Sequence, residues 1–114
     1  MMTKISEFKN VILILLLNIP VASAATITVN NNQDAGTNCT FREAVQEINL
    51  GSSNETDCIS TGTFGVNDLI EFASNVNTVA LTQGEIVISR SVEINGNDNL
   101  TSIIGNGTSR LLNN

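Results

Sequence analysis

Hydrophobic positions change their spacing along this chain, and each spacing predicts a different element. An uninterrupted apolar run covers Val11 to Leu17 near the N-terminus. Further along, apolar residues recur at helical spacing between Phe41 and Ile48 and form one stripe about two turns long. From Leu69 onward, apolar and polar residues alternate in short runs, which is the pattern of strands that bury one face. We therefore predict an apolar leader, then one helix, then a series of short strands.

The helix is predicted at about residues 41–50. Thr40 and Glu43 form the T-x-x-E pattern of a capping box, in which the hydroxyl and the carboxylate each bind an exposed backbone N–H. A glycine directly after the apolar stripe suits the left-handed residue that ends many helices. Arg42 and Glu47 are expected on the solvated face of this helix, with a structural ion pair as the alternative.

Six strand-like runs follow, and their central apolar residues are spaced 7 to 9 positions apart. Such even spacing indicates an internal structural repeat. Two architectures fit it: an antiparallel sandwich of hairpins, favoured by the turn signal Asn95-Gly96, or a solenoid of parallel strands, favoured by asparagine-rich corners. The spacing alone does not choose between them. The runs are Leu69 to Phe72, Thr78 to Leu81, Glu85 to Ser89, Val92 to Ile94, Thr101 to Ile104 and Arg110 to Leu112.

The N-terminal segment has the features of a secretory signal peptide. Lys4 and Lys9 give it a positive start, the apolar run follows, and Ala22-Ser23-Ala24 has the A-x-A pattern of a cleavage site. The alternative is a membrane anchor, but a span needs about 18 or more apolar residues, and Pro20 cuts this run short. We predict a signal peptide at 1–24, cleaved after its last residue. The product is expected outside the cell or on its surface, with the periplasm or outer membrane as the site in a Gram-negative cell.

Charge and composition exclude several classes of site. Removal of the predicted leader leaves 3 Arg against 10 Asp and Glu, which is a net charge of −7. Such acidity argues against a nucleic-acid partner. The chain has no histidine, so catalytic triads and zinc sites built on imidazole are excluded. We predict no cofactor and no metal site, and no membrane span in the mature chain. The 15 asparagines among its 90 residues predict many tight turns.

The two cysteines predict one disulfide. Cys39 and Cys58 are the only pair, and an exported protein enters an oxidising environment. Closing a loop of about 20 residues stabilises a fold by roughly 3 kcal/mol in the chain-entropy model. The alternative is two free buried thiols. A catalytic thiol is disfavoured because no histidine can activate either sulfur.

A short motif carries a resemblance to a known family. Cys39-Thr40-Phe41-Arg42-Glu43-Ala44 resembles the C-S-L-R-E-A motif of the CSLREA N-terminal domain of secreted bacterial proteins. Thr40 and Phe41 replace the Ser and Leu of the motif, and both replacements keep the chemistry. The likeness covers about Thr26 to Leu112. It implies an all-β fold, a right-handed parallel β-helix of the pectin-lyase-like type with one short capping α-helix, in exported adhesin-like proteins.

This resemblance divides the mature chain into two parts. Residues 25–67 would be an N-terminal cap that holds the helix and the disulfide candidate, and residues 68–114 would be the first β-helix coils. At about 25 residues per coil, the second part holds fewer than two coils, whereas a solenoid needs about three repeats to bury a continuous core. We therefore expect a truncated β-helix.

The sequence is compatible with three functions. The first is a non-catalytic structural or adhesin-like module with a carbohydrate or cell-surface partner. The second is a fragment of a polysaccharide lyase or glycosidase, which needs clustered carboxylates. The third is a self-associating or partner-completed fragment that pairs through an open C-terminal coil. Candidate catalytic residues for the second function are one acid per strand and the nearest base, namely Glu71, Glu85, Glu93, Asp98 and Arg90. Because these acids are scattered, we assign no catalytic residue.

Overall fold

The computed structural model describes residues 23–53, 56–65, 67–97, 101–105 and 112–113. Most of the predicted signal peptide lies outside these residues, as do Asp98 and the start of the last predicted run. Within the described part, the chain forms one helix and eight strands. In chain order they are β1 (Thr26–Val29), α1 (Phe41–Leu50), β2 (Ser60–Thr61), β3 (Asp68–Phe72), β4 (Thr78–Ala80), β5 (Ile86–Val87), β6 (Val92–Asn95), β7 (Ser102–Ile104) and β8 (Leu112–Asn113).

Four of the strands form one mixed sheet in the order β2-β1-β3-β6. β1 pairs in parallel with β3, with Ile27 opposite Ile70, and β3 pairs in parallel with β6, with Ile70 opposite Ile94. β2 runs antiparallel to β1 at the other edge. The remaining strands form two parallel pairs, β4 with β7 and β5 with β8.

This topology corrects the predicted fold class. The prediction of an all-β right-handed parallel β-helix with one short capping α-helix is wrong, because the main sheet is mixed and one face of α1 packs into the shared core. The even spacing of apolar residues reflects local parallel pairs such as Val79 opposite Ile103. It carries no information about residues 25–67, where a helix and an antiparallel strand break the repeat. The hairpin alternative also fails, since β4 pairs with β7 in parallel. The fold combines a mixed sheet, two parallel strand pairs and one helix.

The helix and the inner faces of the strands share one hydrophobic core. β3 alternates fully, with its first, third and fifth residues buried. Phe41 of α1 and Phe72 of β3 pack with ring centroids 5.7 Å apart. The stripe predicted from the sequence therefore faces the sheet. The other buried core residues are Ile27, Val29, Cys39, Ala44, Val45, Ile48, Cys58, Ile70, Val76, Val79, Leu81, Ile86 and Ile88.

Both ends of α1 are fixed by specific contacts. At the start, the Glu43 N–H donates to Thr40 Oγ1 at 3.1 Å, and the Thr40 N–H donates to Glu43 Oε2 at 3.1 Å. At the end, Gly51 adopts a left-handed φ of 70°. The guanidinium of Arg90 lies beside Gly51, and the left-handed backbone favours glycine at this position. The Arg90 guanidinium thus lies at the carbonyl end of the helix, where positive charge is favourable.

The predicted disulfide between Cys39 and Cys58 is confirmed. Both cysteines are buried in the core. The bond joins the residue before the helix cap to the segment that leads into β2, and it encloses the whole of α1. Among the described residues, no helix is long and apolar enough to cross a membrane.

Candidate functional site

The segment from Thr82 to Ser89, which contains β5, has six backbone groups that bind side chains rather than another strand. These side chains come from the loop before α1 and from α1 itself. Unpaired backbone groups along a strand are a template for pairing with another chain. We call the three side chains that occupy them the edge cluster: Asp34, Arg42 and Asn49.

Asp34 binds the N-terminal end of this segment. Its Oδ2 accepts hydrogen bonds from the backbone N–H groups of Thr82 and Gln83, both at 2.7 Å. The same carboxylate accepts from Arg42 Nε and Nη2 at 2.7 and 2.8 Å. Burial alone would raise the pKa of Asp34, but the hydrogen bonds from Arg42, Gln83 and Thr82 outweigh it, and the pKa lies below its ordinary value. Asp34 is therefore a charged group inside the fold.

Arg42 and Asn49 bind the rest of the segment. Arg42 donates to the carbonyls of Gly84 at 2.7 Å and Glu85 at 3.3 Å. Asn49 Nδ2 donates to the carbonyl of Val87 at 2.8 Å, and Asn49 Oδ1 accepts from the N–H of Ser89 at 2.9 Å. The carboxamide of Asn49 therefore offers one donor and one acceptor, as a neighbouring strand would.

The ion pair corrects the expected position of Arg42. The sequence favoured a solvated side chain, but the alternative of a structural ion pair is the one observed, because Arg42 forms a bidentate pair with a carboxylate whose side chain is 0% exposed. Arg42 and Asn49 lie seven residues apart and so share one face of α1. Their two polar side chains bind the loop of Asp34 and the segment 82–89. Polar character alone did not distinguish such a face from a solvated one.

Asp34 and Asn49 were both missed as site residues. Asn49 stands seven residues after Arg42, and this shared helix face is the one sequence signal that could have linked them. Nothing in the sequence around Asp34 indicates its role, because its backbone partners Thr82 and Gln83 lie 48 and 49 residues away. A contact of that separation depends on the tertiary fold.

The candidate catalytic acids are spread over the described residues. Glu71 and Glu93 lie on the outer face of the mixed sheet, at diagonal positions, since Glu71 pairs with Asn95 and Leu69 with Glu93. Thr28 Oγ1 donates to Glu71 Oε1 at 3.1 Å. Glu85 lies beside the edge cluster instead. No group of three or more His, Cys, Asp or Glu residues that could hold a metal ion occurs in the described part of the chain.

A cavity of about 440 Å³ with a mixed polar and apolar lining opens on the outer face of the mixed sheet. Thr26 and Thr28 of β1 lie beside the Glu71 carboxylate, and Asp57 adds a second carboxylate. Ile59, which is 83% exposed, provides an apolar wall. Hydroxyl, amide and carboxylate groups of this kind can hydrogen-bond a hydroxyl-rich ligand.

Glu47 corrects a second expectation. It was predicted on the solvated face of α1, yet it is 0% exposed. Its Oε1 accepts from the Thr56 hydroxyl at 2.5 Å, and its Oε2 has no partner among the described residues. Burial raises the pKa of Glu47, the Thr56 hydrogen bond opposes this rise, and the nearby charge of Glu43 adds to it.

Glu47→Gln is expected to raise Tm at neutral pH by a few degrees. A carboxyl whose folded pKa is raised stabilises the fold at low pH, and this contribution is lost as the pH rises above the ordinary value of 4.5 towards the folded pKa. Gln has the same shape and cannot ionise. In thermal melts between pH 4 and pH 8, the Tm of the variant should increase relative to the Tm of the wild type as pH rises. A difference that does not depend on pH would contradict this assignment.

We found no match to this chain among family models, curated proteins or solved structures. The likeness of residues 39–44 to the CSLREA motif therefore stays a prediction.

Proposed function

We propose that the chain is a non-catalytic structural module of an exported or surface-displayed protein. The observation that carries this proposal is the edge cluster, in which three side chains occupy six backbone groups of the segment 82–89. Such contacts occupy backbone groups in and beside β5 that could otherwise pair with another chain, which is a structural task rather than a chemical one. The hydroxyl and carboxylate groups in the cavity at the outer face of the mixed sheet favour an adhesin-like form of this function, in which a carbohydrate binds there.

Two further features support export. The A-x-A pattern at Ala22 to Ala24 follows a short apolar run with a positive start. The disulfide between Cys39 and Cys58 suits an oxidising compartment. Both features agree with a module that works outside the cytoplasm.

The proposal predicts that Asn49→Ala promotes association. The substitution leaves the carbonyl of Val87 and the N–H of Ser89 without their partner. We expect light scattering of the exported protein to show aggregates for this variant at concentrations where the wild type stays dispersed. Gln46→Ala is the matched control, because Gln46 is an exposed residue of the same helix. Equal scattering by both variants would contradict the role of the edge cluster.

The same preparation tests the non-catalytic claim. Incubation with acidic and neutral polysaccharides should release no reducing ends and no unsaturated products. Release that disappears in Glu71→Gln or Glu93→Gln would instead support the lyase or glycosidase alternative, since these two acids share one sheet face.

Self-association of a second copy is the other candidate function, and a difference in burial favours it. Ile70 and Val79 are buried, whereas Ile94 and Ile103, which pair with them on β6 and β7, are only half-buried. Ile104 is 52% exposed. In the described residues, β6 and β7 each pair with one strand only, so their outer edges can accept a strand.

Sedimentation across a concentration series tests this second candidate. A second copy on these edges predicts a dimer whose fraction rises with concentration, and Ile104→Glu should lower that fraction by placing a charge at the edge. Val87→Glu is the control, because Val87 is equally exposed but lies on β5. A monomer at every concentration would contradict self-association.

A further inference from the structure

Three carboxylates are buried in the described part of the chain, and they differ in what compensates their charge. Asp34 pairs with Arg42, and Glu47 has a raised pKa that favours its neutral form. Asp68 is 1% exposed and accepts only backbone N–H groups, from Ala25 at 3.1 Å and from Gly65 at 3.0 Å. No cation pairs with Asp68 among the described residues. A buried charge without an opposite charge is costly.

The missing positive charge can come from the N–H that already donates to Asp68. Ala25 is the first residue after the predicted cleavage site. Hydrolysis of the Ala24–Ala25 peptide bond by a processing peptidase consumes one water and leaves a carboxylate on Ala24 and an ammonium group on Ala25. The nitrogen atom that donates to Asp68 Oδ1 then carries a full positive charge.

We propose that cleavage after Ala24 creates an ion pair between the α-ammonium group of Ala25 and the carboxylate of Asp68, and that this pair holds the mature N-terminus on β3. This inference rests on the proposed export of the chain. It adds a role for the new terminus that export alone does not require.

The position of Ala25 supports the proposal. In the uncleaved chain Ala25 is 0% exposed, and its carbonyl accepts the N–H of Leu69 at 2.8 Å. Both of its backbone groups are therefore held by successive residues of β3 before any cleavage. The residue is placed by β1, which continues directly from it and pairs with β3 over four positions.

The residues that leave on cleavage hold the chain through different contacts. The carbonyl of Ser23 accepts the N–H of Thr63 at 2.8 Å, and Ala24 forms an isolated bridge with Thr63. These contacts are lost when the leader is removed, whereas the contact of Ala25 with Asp68 becomes charge-assisted and so stronger. Cleavage thus exchanges one attachment of the N-terminal segment for another.

The mature chain offers a direct test, because it contains no lysine. The two lysines of the sequence, Lys4 and Lys9, are removed with the leader. The α-amine of Ala25 is then the single primary amine. The full chain is exported by a bacterial host, intact mass identifies its first residue, and an acetylating ester is added at neutral pH. An ion pair favours the unreactive ammonium form, so we expect acetylation at least about tenfold slower in the folded protein than in denaturant.

Asp68→Asn should remove most of this protection, and Glu93→Gln, an exposed acid on the adjacent strand, should leave it unchanged. If Asp68→Asn does not fold, the pH profile of acetylation in the wild type shows whether the amine is paired with a carboxylate. Pairing places the apparent pKa of the amine above its ordinary range of about 7.7–8.0, whereas burial without a partner places it below.

The outcomes separate the two proposals. A first residue other than Ala25 overturns both the predicted cleavage and the ion pair. A chain that begins at Ala25 but is acetylated as fast when folded as when unfolded, or that has a lowered amine pKa, overturns the ion pair and leaves export intact. Slow acetylation with a raised amine pKa, restored to a fast rate by Asp68→Asn, supports it.

Discussion

Asp34→Asn is expected to lower the free energy of unfolding at neutral pH by about 3 kcal/mol, because breaking a buried ion pair costs about 3–5 kcal/mol. The carboxylate accepts four hydrogen bonds, from Arg42, Thr82 and Gln83. An amide has one acceptor oxygen, so its NH₂ group would face at least one of these donors. Urea unfolding of the exported wild type and variant measures the difference.

The effect should depend on pH with a defined sign. The folded pKa of Asp34 is lowered, so its stabilising contribution is complete above the ordinary value of 3.8 and is lost as pH falls through the folded pKa. Wild type and Asp34→Asn should therefore converge in strongly acidic buffer. Asp57→Asn is the matched control, since Asp57 is exposed, and its effect should stay within about 0.5 kcal/mol. Equal effects of the two substitutions would contradict the role of the ion pair.

Replacing both Cys39 and Cys58 with Ser is expected to cost about 3 kcal/mol, through the entropy of the unfolded chain. In a domain of this size, such a loss lowers Tm by more than about 10 °C. The bond closes a loop with a sequence separation of 19 that contains all of α1. Calorimetry of the oxidised wild type and the double variant measures the change.

Chemical reduction provides the control for the cysteine substitutions. A reductant should lower the Tm of the wild type towards that of the double variant, and it should leave the double variant unchanged. If the oxidised wild type and the double variant melt at the same temperature, the disulfide does not stabilise the helix region as the loop argument requires.

Local patterns predicted individual elements well. The helix begins at Phe41 and ends at Leu50, as the capping box and the following glycine indicate. The strand-like runs that start at Leu69, Thr78 and Val92 match β3, β4 and β6 within a residue or two. These features depend on neighbours in the sequence, which is why the sequence alone predicts them.

Relations between distant elements were harder to predict. β2 has two residues and pairs with β1 in the antiparallel direction, and no alternation of two residues predicts a strand. The assignment to an all-β β-helix depended on the repeat in the second half and on a six-residue motif. Neither the repeat nor the motif predicts the mixed sheet or the packing of one face of α1 into the core.

The candidate site shows the same limit. Polar residues on α1 predict solvent, yet Arg42 and Asn49 face the segment 82–89 and Glu47 is buried. A helix face that is polar because it binds backbone groups has the same composition as a solvated one. Only the position of the partner segment, about 40 residues away in the sequence, separates the two cases.

Amide hydrogen exchange tests most directly whether the edge cluster occupies the backbone of the segment 82–89. In the wild type, the amides of Thr82, Gln83 and Ser89 should be protected, although none of them lies in a strand. Asp34→Asn should lose protection at Thr82 and Gln83 more than at Ser89, and Asn49→Ala should show the reverse. Unprotected exchange of all three amides in the wild type would contradict the account.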